Sequence, residues 1–273
     1  MTMPHDLEGP RGPSEHPVLS RREGSILVLT LNRPERLNAV SIGMYRSLLS
    51  ELRGAGEDRD VRCVVLTGQG RAFCVGADLK SHAGGPPSGE DRKRYVRTAQ
   101  RVNRLMQMGK KPVVAAVNGH AIGGGLEMAL SSDFMIVADE AKLRFPEISL
   151  GTFVGGGTVY TLAERVGTVK ARELIYLGDF FLGREAADMG VAYRAVPARR
   201  VLGSAMELAA RLAEKAPISL ELAKRLIGPA GTMSRSRALL MEAKALERVF
   251  GTRDWQEGVE AFHEQRPPRY TGE

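Results

Sequence analysis

The sequence contains few of the residues on which disulfide-rich and zinc-binding proteins depend. Only two of its 273 residues are cysteine, Cys63 and Cys74. No second cysteine pair or histidine cluster accompanies them, so the usual spacing of a structural zinc site is missing. We therefore expect two free thiols in a reducing compartment and no bound metal.

Long apolar runs are also missing. No stretch approaches the roughly 20 apolar residues that cross a bilayer. The first 17 residues, MTMPHDLEGPRGPSEHP, hold acidic residues and four prolines where a secretory signal would need an apolar segment. We expect a cytoplasmic protein without a membrane partner.

Aromatic residues make up only 5% of the chain. The arginines are spread along the sequence, and no basic run is interleaved with rings that could stack on bases. We expect no nucleic-acid partner. The formal charge of +7, from 39 Lys and Arg against 32 Asp and Glu, still favours an anionic partner such as a phosphorylated ligand.

One glycine-rich segment, GTFVGGGTV at residues 151–159, is close to a phosphate-binding loop. Gly151 and Gly156 have the spacing of that motif, but Gly157 stands where the motif needs lysine. No strand leads directly into Gly151 either. The sequence therefore predicts no nucleoside triphosphate site here.

The most informative stretch is residues 111–127, KPVVAAVNGHAIGGGLE. Val113–Val117 is a short apolar run between Pro112 and Asn118-Gly119, which is typical of a buried strand. Three glycines then lead into an apparent helix, LEMAL. Bare glycines leave main-chain N–H groups uncovered at the positive end of a helix, so this turn is suited to stabilising an oxyanion.

Two carboxylates accompany this turn. Glu127 lies in the first turn of the predicted helix, and Glu147 follows Phe145-Pro146. They could form a general acid/base pair, although a packing turn beside two ordinary surface glutamates fits the spacing as well. His120 has no paired ligand, and we interpret it as structural.

Hydrophobic periodicity predicts short strands alternating with helices. Residues 1–19 offer almost nothing to bury and are predicted to form a disordered tail. Strands are predicted at 25–31, 61–67, 113–117, 134–138, 143–145 and 191–193. Helices are predicted at 40–52, 91–108, 158–166, 170–177 and 184–189, and throughout the region after residue 201.

Five segments, in order, resemble the signature of the crotonase (enoyl-CoA hydratase/isomerase) superfamily and cover nearly the whole chain. They are NRPERLNA at 32–39, AFCVGADL at 72–79, the stretch at 111–127, FPEI at 145–148 with Leu150-Gly151, and Glu257-Gly258 with Ala261-Phe262. The resemblance implies an α/β fold, with a spiral of ββα units at 20–200 and a C-terminal helical oligomerisation region at 201–273. It also implies trimers or dimers of trimers.

Two apolar stripes in the C-terminal region bear on that assembly. They fit an ordinary monomer core as well as an interface. The stripes are Leu202, Ala205, Ala209 and Leu212, and Leu239, Ala243, Leu246 and Phe250.

The resemblance also implies an acyl-CoA substrate, and the glutamate pair is similar to that of enoyl-CoA hydratases, lyases that add water to a 2-enoyl-CoA. By that similarity the N–H groups of Ala77 and Gly124 hold the thioester oxygen. Glu127 deprotonates the water, and Glu147 supplies a proton to C2. No cofactor is needed, because coenzyme A is part of the substrate. The alternatives are an enoyl-CoA isomerase or another family reaction, and a non-catalytic or RNA-binding member.

The family's contacts to coenzyme A map onto two loops and the C-terminal helix of this sequence. The corresponding residues are Arg36, Leu37, Ala77, Asp78, Leu79, Gly124 and Phe262. Many members also carry a phosphate-binding lysine three residues after the phenylalanine. That position is Gln265 here, and Arg266 beside it can supply the missing charge, since arginine binds phosphate at two points.

The chain departs from many hydratases beside the expected acyl pocket. Val154 replaces a proline, and Tyr160-Thr161 replaces a Gln-Arg pair. The shape of the acyl pocket is therefore expected to differ from that of those hydratases.

Overall fold

The computed structural model describes residues 16–78, 88–228 and 230–273. Within them the strands are β1 (Val18–Glu23), β2 (Ile26–Leu31), β3 (Cys63–Gly68), β4 (Ala72–Cys74), β5 (Val113–Val117), β6 (His120–Ile122), β7 (Phe134–Ala138), β8 (Lys142–Arg144), β9 (Phe181–Leu182) and β10 (Arg194–Val196). The helices are α1 (Ile42–Glu57), α2 (Gly89–Met108), α3 (Gly124–Leu130), α4 (Thr158–Val166), α5 (Thr168–Tyr176), α6 (Gly183–Asp188), α7 (Val201–Ala213), α8 (Pro217–Ile227), α9 (Arg235–Phe250) and α10 (Arg253–His263).

The strands form two sheets. The larger sheet has the order β1-β2-β3-β5-β7-β10, and the smaller has the order β4-β6-β8-β9. All pairs in the larger sheet are parallel except the β1–β2 hairpin. Every residue of β3 and β5 is buried, as expected for central parallel strands covered on both faces.

From β3 to β8, consecutive strands belong alternately to the larger and the smaller sheet. β3 and β4 precede α2, and β5 and β6 precede α3, so each unit gives one strand to each sheet and then a helix. β7 and β8 repeat the step from the larger sheet to the smaller. The predicted α/β spiral of ββα units is confirmed by this order.

Several predicted boundaries were displaced. β1 begins at Val18, which is buried, so the tail prediction was wrong for its last two residues; residues 1–15 lie outside the described part of the chain. The strand predicted at 191–193 lies instead at Arg194–Val196, because it pairs with β7 in that register. The apolar residues at 191–193 indicated that a strand lies nearby, but pairing with β7 determines which residues form it.

The two C-terminal stripes have different environments. Ala205 and Ala209 on α7 are fully buried, and α7 packs on β3 and β5. The described core therefore extends past the boundary predicted at residue 201. On α9, Leu239, Leu246 and Phe250 are more than half exposed, so this second stripe is a surface and not a monomer core.

A buried ion pair fastens α8 to the core. The Nζ of Lys224 donates to Asp133 Oδ2 at 2.6 Å and to the main-chain oxygens of Met106 and Lys111 at 2.6 and 2.9 Å. The lysine side chain is only 6% exposed. Asp133 also accepts the main-chain N–H of Val113 at 2.7 Å, so one carboxylate joins β5 to α8.

We predict that Lys224→Met lowers the free energy of unfolding by about 3 kcal/mol or more, because it leaves a carboxylate and two carbonyls buried without their cation. Urea denaturation at fixed protein concentration measures the change. Lys170→Met, which removes the exposed Lys170–Glu173 pair on α5, is the matched control and should cost less than about 0.5 kcal/mol. Equal effects of the two variants would contradict the assigned role.

Candidate active site

The stretch at residues 111–127 forms two strands and a helix instead of the single strand and helix predicted. β5 lies in the larger sheet, the chain turns at Asn118-Gly119, and β6 then joins the smaller sheet. The turn is close-packed, since a Cβ on Gly119 would lie 2.2 Å from the carbonyl oxygen of Arg71. The glycine run therefore connects β6, a strand of the smaller sheet, to the first turn of α3.

The three glycines of this run have different surroundings. A Cβ on Gly125 would lie 2.1 Å from the carbonyl oxygen of Cys74, so α3 packs directly on β4. Gly123 has a φ of +52°, and its Cβ would lie 2.5 Å from Glu147 Oε1. A Cβ on Gly124 would meet only ordinary van der Waals contacts, with the Tyr45 hydroxyl at 3.6 Å and the Gly76 Cα at 4.0 Å. Gly124 is thus the glycine whose backbone a ligand can approach.

The Gly124 N–H belongs to the first residue of α3, where a helix offers its N–H groups no internal acceptor. We find no acceptor for it among the described residues. The adjacent N–H of Gly123 instead donates to the carbonyl oxygen of Arg144 at 2.9 Å. Gly124 therefore presents an unused donor at the positive end of the helix.

Ala77 presents a second main-chain donor beside the first. It forms an isolated parallel bridge with Val40, in which Val40 N–H donates to Gly76 O at 2.7 Å and Asp78 N–H donates to Val40 O at 3.3 Å. This pattern uses the neighbours of Ala77, so its own N–H points away from Val40. A Cβ on Gly76, whose φ is +85°, would lie 3.3 Å from Gly124 N, so the two loops abut.

A partly buried arginine holds the loop that carries Ala77. Arg33 contacts Asp78 Oδ2 at 2.9 Å and donates to the carbonyl oxygen of Ala39 at 2.6 Å. Asn38 is fully buried and donates to the carbonyl oxygens of Gln69 and Ala72. The sequence prediction missed both roles, although both residues lie in the NRPERLNA segment.

Glu127 is buried in α3, with 8% of the residue exposed. Its Oε1 accepts the main-chain N–H of Gly155 at 2.8 Å. Burial raises the pKa of Glu127 to about 7, and the nearby charge of Glu147 also raises it, while the Gly155 hydrogen bond opposes the shift. A carboxylate with this pKa can accept or donate a proton near neutral pH.

Glu147 is equally buried, at 8% exposure, and burial raises its pKa above the ordinary glutamate value. Its Oε2 has no hydrogen-bond partner among the described residues. A buried carboxylate oxygen without a partner is costly, so this atom is suited to holding a proton or a polar substrate atom. Both glutamates are buried and the charge of Glu147 acts on Glu127, so the alternative of two surface glutamates was wrong.

Two tyrosines that the sequence did not single out for the site lie beside these groups. Tyr45 on α1 and Tyr95 on α2 pack edge to face with ring centroids 5.4 Å apart. Both interact with the charge of Glu127, and burial raises the pKa of Tyr95 to about 12. Helical spacing indicated a core role for Tyr95, but only the fold places Tyr45 near Gly124.

The predicted coenzyme A residues differ in exposure, and Asp78 is buried in its ion pair with Arg33. Arg36 is exposed at the end of a 3-10 helix, Pro34–Arg36, and Leu37 follows in a left-handed conformation with a φ of 51°. Phe262 on α10 is 81% exposed. Leu79 lies outside the described residues.

Arg266 is engaged within the chain. Two of its guanidinium nitrogens contact Glu257 at 2.6 and 3.0 Å, and Glu264 lies beside it. These contacts lower the pKa of Glu257 to about 2. The phosphate role of Arg266 stays a prediction, and any such role requires the guanidinium to be shared with Glu257.

The two cysteines and His120 could also carry chemistry, but their surroundings indicate structural roles. Cys63 and Cys74 are buried, and burial raises the pKa of each thiol to about 12, which makes them poor nucleophiles near neutral pH. His120 accepts the Lys142 N–H at 3.1 Å, in keeping with a structural role. The described residues contain no cluster of metal-ligating side chains, and no helix among them has the length and apolar character needed to cross a membrane.

Comparison with known proteins adds to this geometry. The family model for enoyl-CoA hydratase/isomerase matches residues 21–273. A crotonyl-CoA hydratase from Syntrophomonas wolfei is 31% identical and aligns over 93% of this chain and 97% of its own length. A 2,3-dehydroadipyl-CoA hydratase from Escherichia coli is also 31% identical, over 93% of this chain and 98% of its own length. The crystal structure of an enoyl-CoA hydratase from Bacillus anthracis, 34% identical, superposes with a TM-score of 0.89 over 94% of this chain and 100% of that one.

We predict that Gly124→Val folds but loses at least about a hundredfold in the rate of any reaction that passes through a thioester oxyanion. A Cβ fits at Gly124 without a clash, and the β-branched side chain that it carries should occupy the approach to the two N–H groups. Turnover of crotonyl-CoA, circular dichroism and binding of free coenzyme A are measured together. Gly125→Val is the contrasting variant, and it should fail to fold because its side chain meets the Cys74 backbone.

A folded Gly124→Val protein that retains coenzyme A binding and turns over crotonyl-CoA at close to the parental rate would contradict this assignment. The glycine run would then serve packing alone.

Proposed function

The chain belongs to the enoyl-CoA hydratase/isomerase family, and on this premise we propose that it adds water to a 2-enoyl-CoA thioester to give a 3-hydroxyacyl-CoA. The observation that carries the proposal is the pair of buried glutamates, Glu127 and Glu147, whose pKa values are both raised and which accompany two main-chain N–H groups with no acceptor among the described residues. Hydration needs one group to take a proton from water and another to give a proton to carbon. This pair offers both.

In the proposed reaction the thioester oxygen lies between the N–H groups of Ala77 and Gly124. As water adds at C3, electrons move from the double bond toward this oxygen, which becomes enolate-like. Fixed donors stabilise that charge, and the loss of one such donor costs about 3 to 4 kcal/mol of barrier in known enzymes. The helix dipole of α3 acts in the same direction.

The two glutamates move the protons. Glu127, held by the Gly155 N–H, takes a proton from the water as its oxygen bonds to C3. Glu147, protonated at the start, gives its proton to C2, and transfer of the new proton from Glu127 to Glu147 then restores the initial state of the pair. Two buried carboxylates that interact favour sharing a single proton, and hydration proceeds when that proton is on Glu147 and Glu127 is ionised.

An enoyl-CoA isomerase is the second candidate, since the family includes isomerases and one carboxylate, Glu147, suffices to move a proton between carbons. Glu127 favours hydration because it supplies the second proton carrier. The two reactions are separated by offering 2-enoyl-CoA and 3-enoyl-CoA thioesters side by side.

The remaining features of the proposal concern binding and assembly. We propose that the coenzyme A nucleotide lies along Arg36, Leu37 and the Ala77–Asp78 backbone, with Phe262 and Arg266 closing the site. The exposed apolar stripe on α9 supports assembly into trimers or pairs of trimers. We propose no separate cofactor or metal, and a cytoplasmic location remains our prediction.

We predict that Glu147→Gln lowers hydration of crotonyl-CoA by at least about a hundredfold while leaving the affinity for butyryl-CoA within about threefold, since a general acid/base usually contributes that much and the amide keeps the shape. Steady-state rates and calorimetric titration provide the two readouts. Near-normal turnover would remove Glu147 from the mechanism.

Glu127→Gln should lower hydration by a similar factor yet leave any isomerisation of 3-enoyl-CoA to 2-enoyl-CoA measurable, because that reaction needs only one carboxylate. Glu173→Gln, on the surface of α5, is the matched control for a lost charge and should leave both rates unchanged. Loss of both reactions in Glu127→Gln would contradict the two separate roles.

A further inference from the structure

A cavity of about 560 Å³, open to solvent, lies beside Gly155. Gly155, which donates to the Glu127 carboxylate, lies in its lining, and Gln100 lies next to Gly155. Beyond them the wall is mainly apolar, with contributions from Val154, Val159 and Ala163. An acyl chain that extends from a thioester held near Glu127 would meet this apolar surface.

A second cavity, of about 670 Å³, lies between the core and α8. Its apolar lining includes Leu130 and Phe134 from the core, Leu212 from α7, and Leu220 and Ile227 from α8. It is large enough for a small-molecule ligand. Gly155, whose N–H donates to the Glu127 carboxylate, lines the first cavity and not the second.

The two cavities share a wall. Tyr160 and Glu164, one turn apart on α4, line both of them. The Tyr160 hydroxyl donates to Glu164 Oε1 at 2.6 Å, contacts the carbonyl oxygen of Gly228 at 3.4 Å, and hydrogen-bonds with Thr232. A Cβ on Gly231 would lie 3.0 Å from Glu164 Oε1, so the backbone beyond α8 packs against the same pair.

We propose that the Tyr160–Glu164 pair sets the length of acyl chain that the enzyme accepts. The inference rests on the proposed function and adds its substrate class, which is 2-enoyl-CoA of medium chain length. The acyl chain fills the first cavity and ends at the pair. Longer chains are excluded from the second cavity because passing the wall would break the hydrogen bonds of Tyr160 and place methylenes against the Glu164 carboxylate.

The wall stands where this chain departs from many hydratases, which carry glutamine instead of Tyr160. A tyrosine provides both a bulky ring and a hydroxyl that reaches Gly228. Removing the ring should join the two cavities into one apolar channel. Each additional methylene buried there would then raise affinity by up to about fourfold.

The test measures kcat/KM for trans-2-enoyl-CoA thioesters with butenoyl, octenoyl, dodecenoyl and hexadecenoyl chains. For the parent protein we expect a maximum at octenoyl-CoA and a decline of at least about tenfold at hexadecenoyl-CoA. Tyr160→Ala should raise the hexadecenoyl to octenoyl ratio at least about tenfold and leave the crotonyl-CoA rate within about twofold. Tyr160→Phe, which keeps the ring, should give a smaller increase.

Tyr176→Ala is the matched control, because Tyr176 is an exposed tyrosine on α5 that lines neither cavity. Its chain-length profile should equal that of the parent. A parent that already prefers hexadecenoyl-CoA, or a Tyr160→Ala variant with an unchanged ratio, would overturn the proposal.

Binding of octanoyl-CoA and palmitoyl-CoA separates this inference from the proposed reaction. These saturated thioesters cannot be hydrated, so their affinities measure how well the cavities bind an acyl chain, independently of the reaction. If no enoyl-CoA is hydrated but Tyr160→Ala still tightens palmitoyl-CoA binding at least about tenfold, the length boundary holds and the proposed reaction fails. If hydration proceeds and palmitoyl-CoA binding does not change, the boundary fails and the reaction stands.

Discussion

The burial of two carboxylates at one place is the constraint on which the site depends. Glu127 and Glu147 are each only 8% exposed, and burial raises the pKa of both. Such an arrangement is unfavourable for stability, because charged or unpartnered polar groups lose solvation. The fold offsets part of this cost for Glu127 through the Gly155 N–H. The part of the desolvation cost that is not offset raises the pKa of Glu127, so this carboxyl can hold a proton near neutral pH.

Close glycine packing holds the groups around these carboxylates. Gly125 lets α3 rest on β4, and Gly76 lets the loop before Ala77 approach Ile122 and the start of α3. The Arg33–Asp78 pair then fixes the same loop from its other side. Gly124 is left open between these contacts, so its N–H and that of Ala77 can point at one ligand atom without any side chain taking part.

Short-range patterns predicted much of the fold. The apolar run of β5 and the periodicity of α4 gave the observed residues, and the motif segments indicated the site glutamates and the glycine turn. Long-range pairing decided the rest. The division of residues 113–122 between two sheets, the burial of α7 and the approach of Tyr45 to Gly124 depend on contacts that no local pattern contains. The wall at Tyr160 is partly of this kind, because Glu164 is a local partner but Gly228 lies about seventy residues away along the chain.

The central claim, that a buried carboxyl at Glu127 exchanges a proton near neutral pH, is tested most directly by infrared difference spectroscopy during a pH titration. We predict a carboxyl carbonyl band that disappears as the pH rises through about 7, is missing in Glu127→Gln, and titrates at lower pH in Glu147→Gln. If every carboxyl band disappeared by about pH 5.5, within the ordinary range of glutamate, the claim would be contradicted.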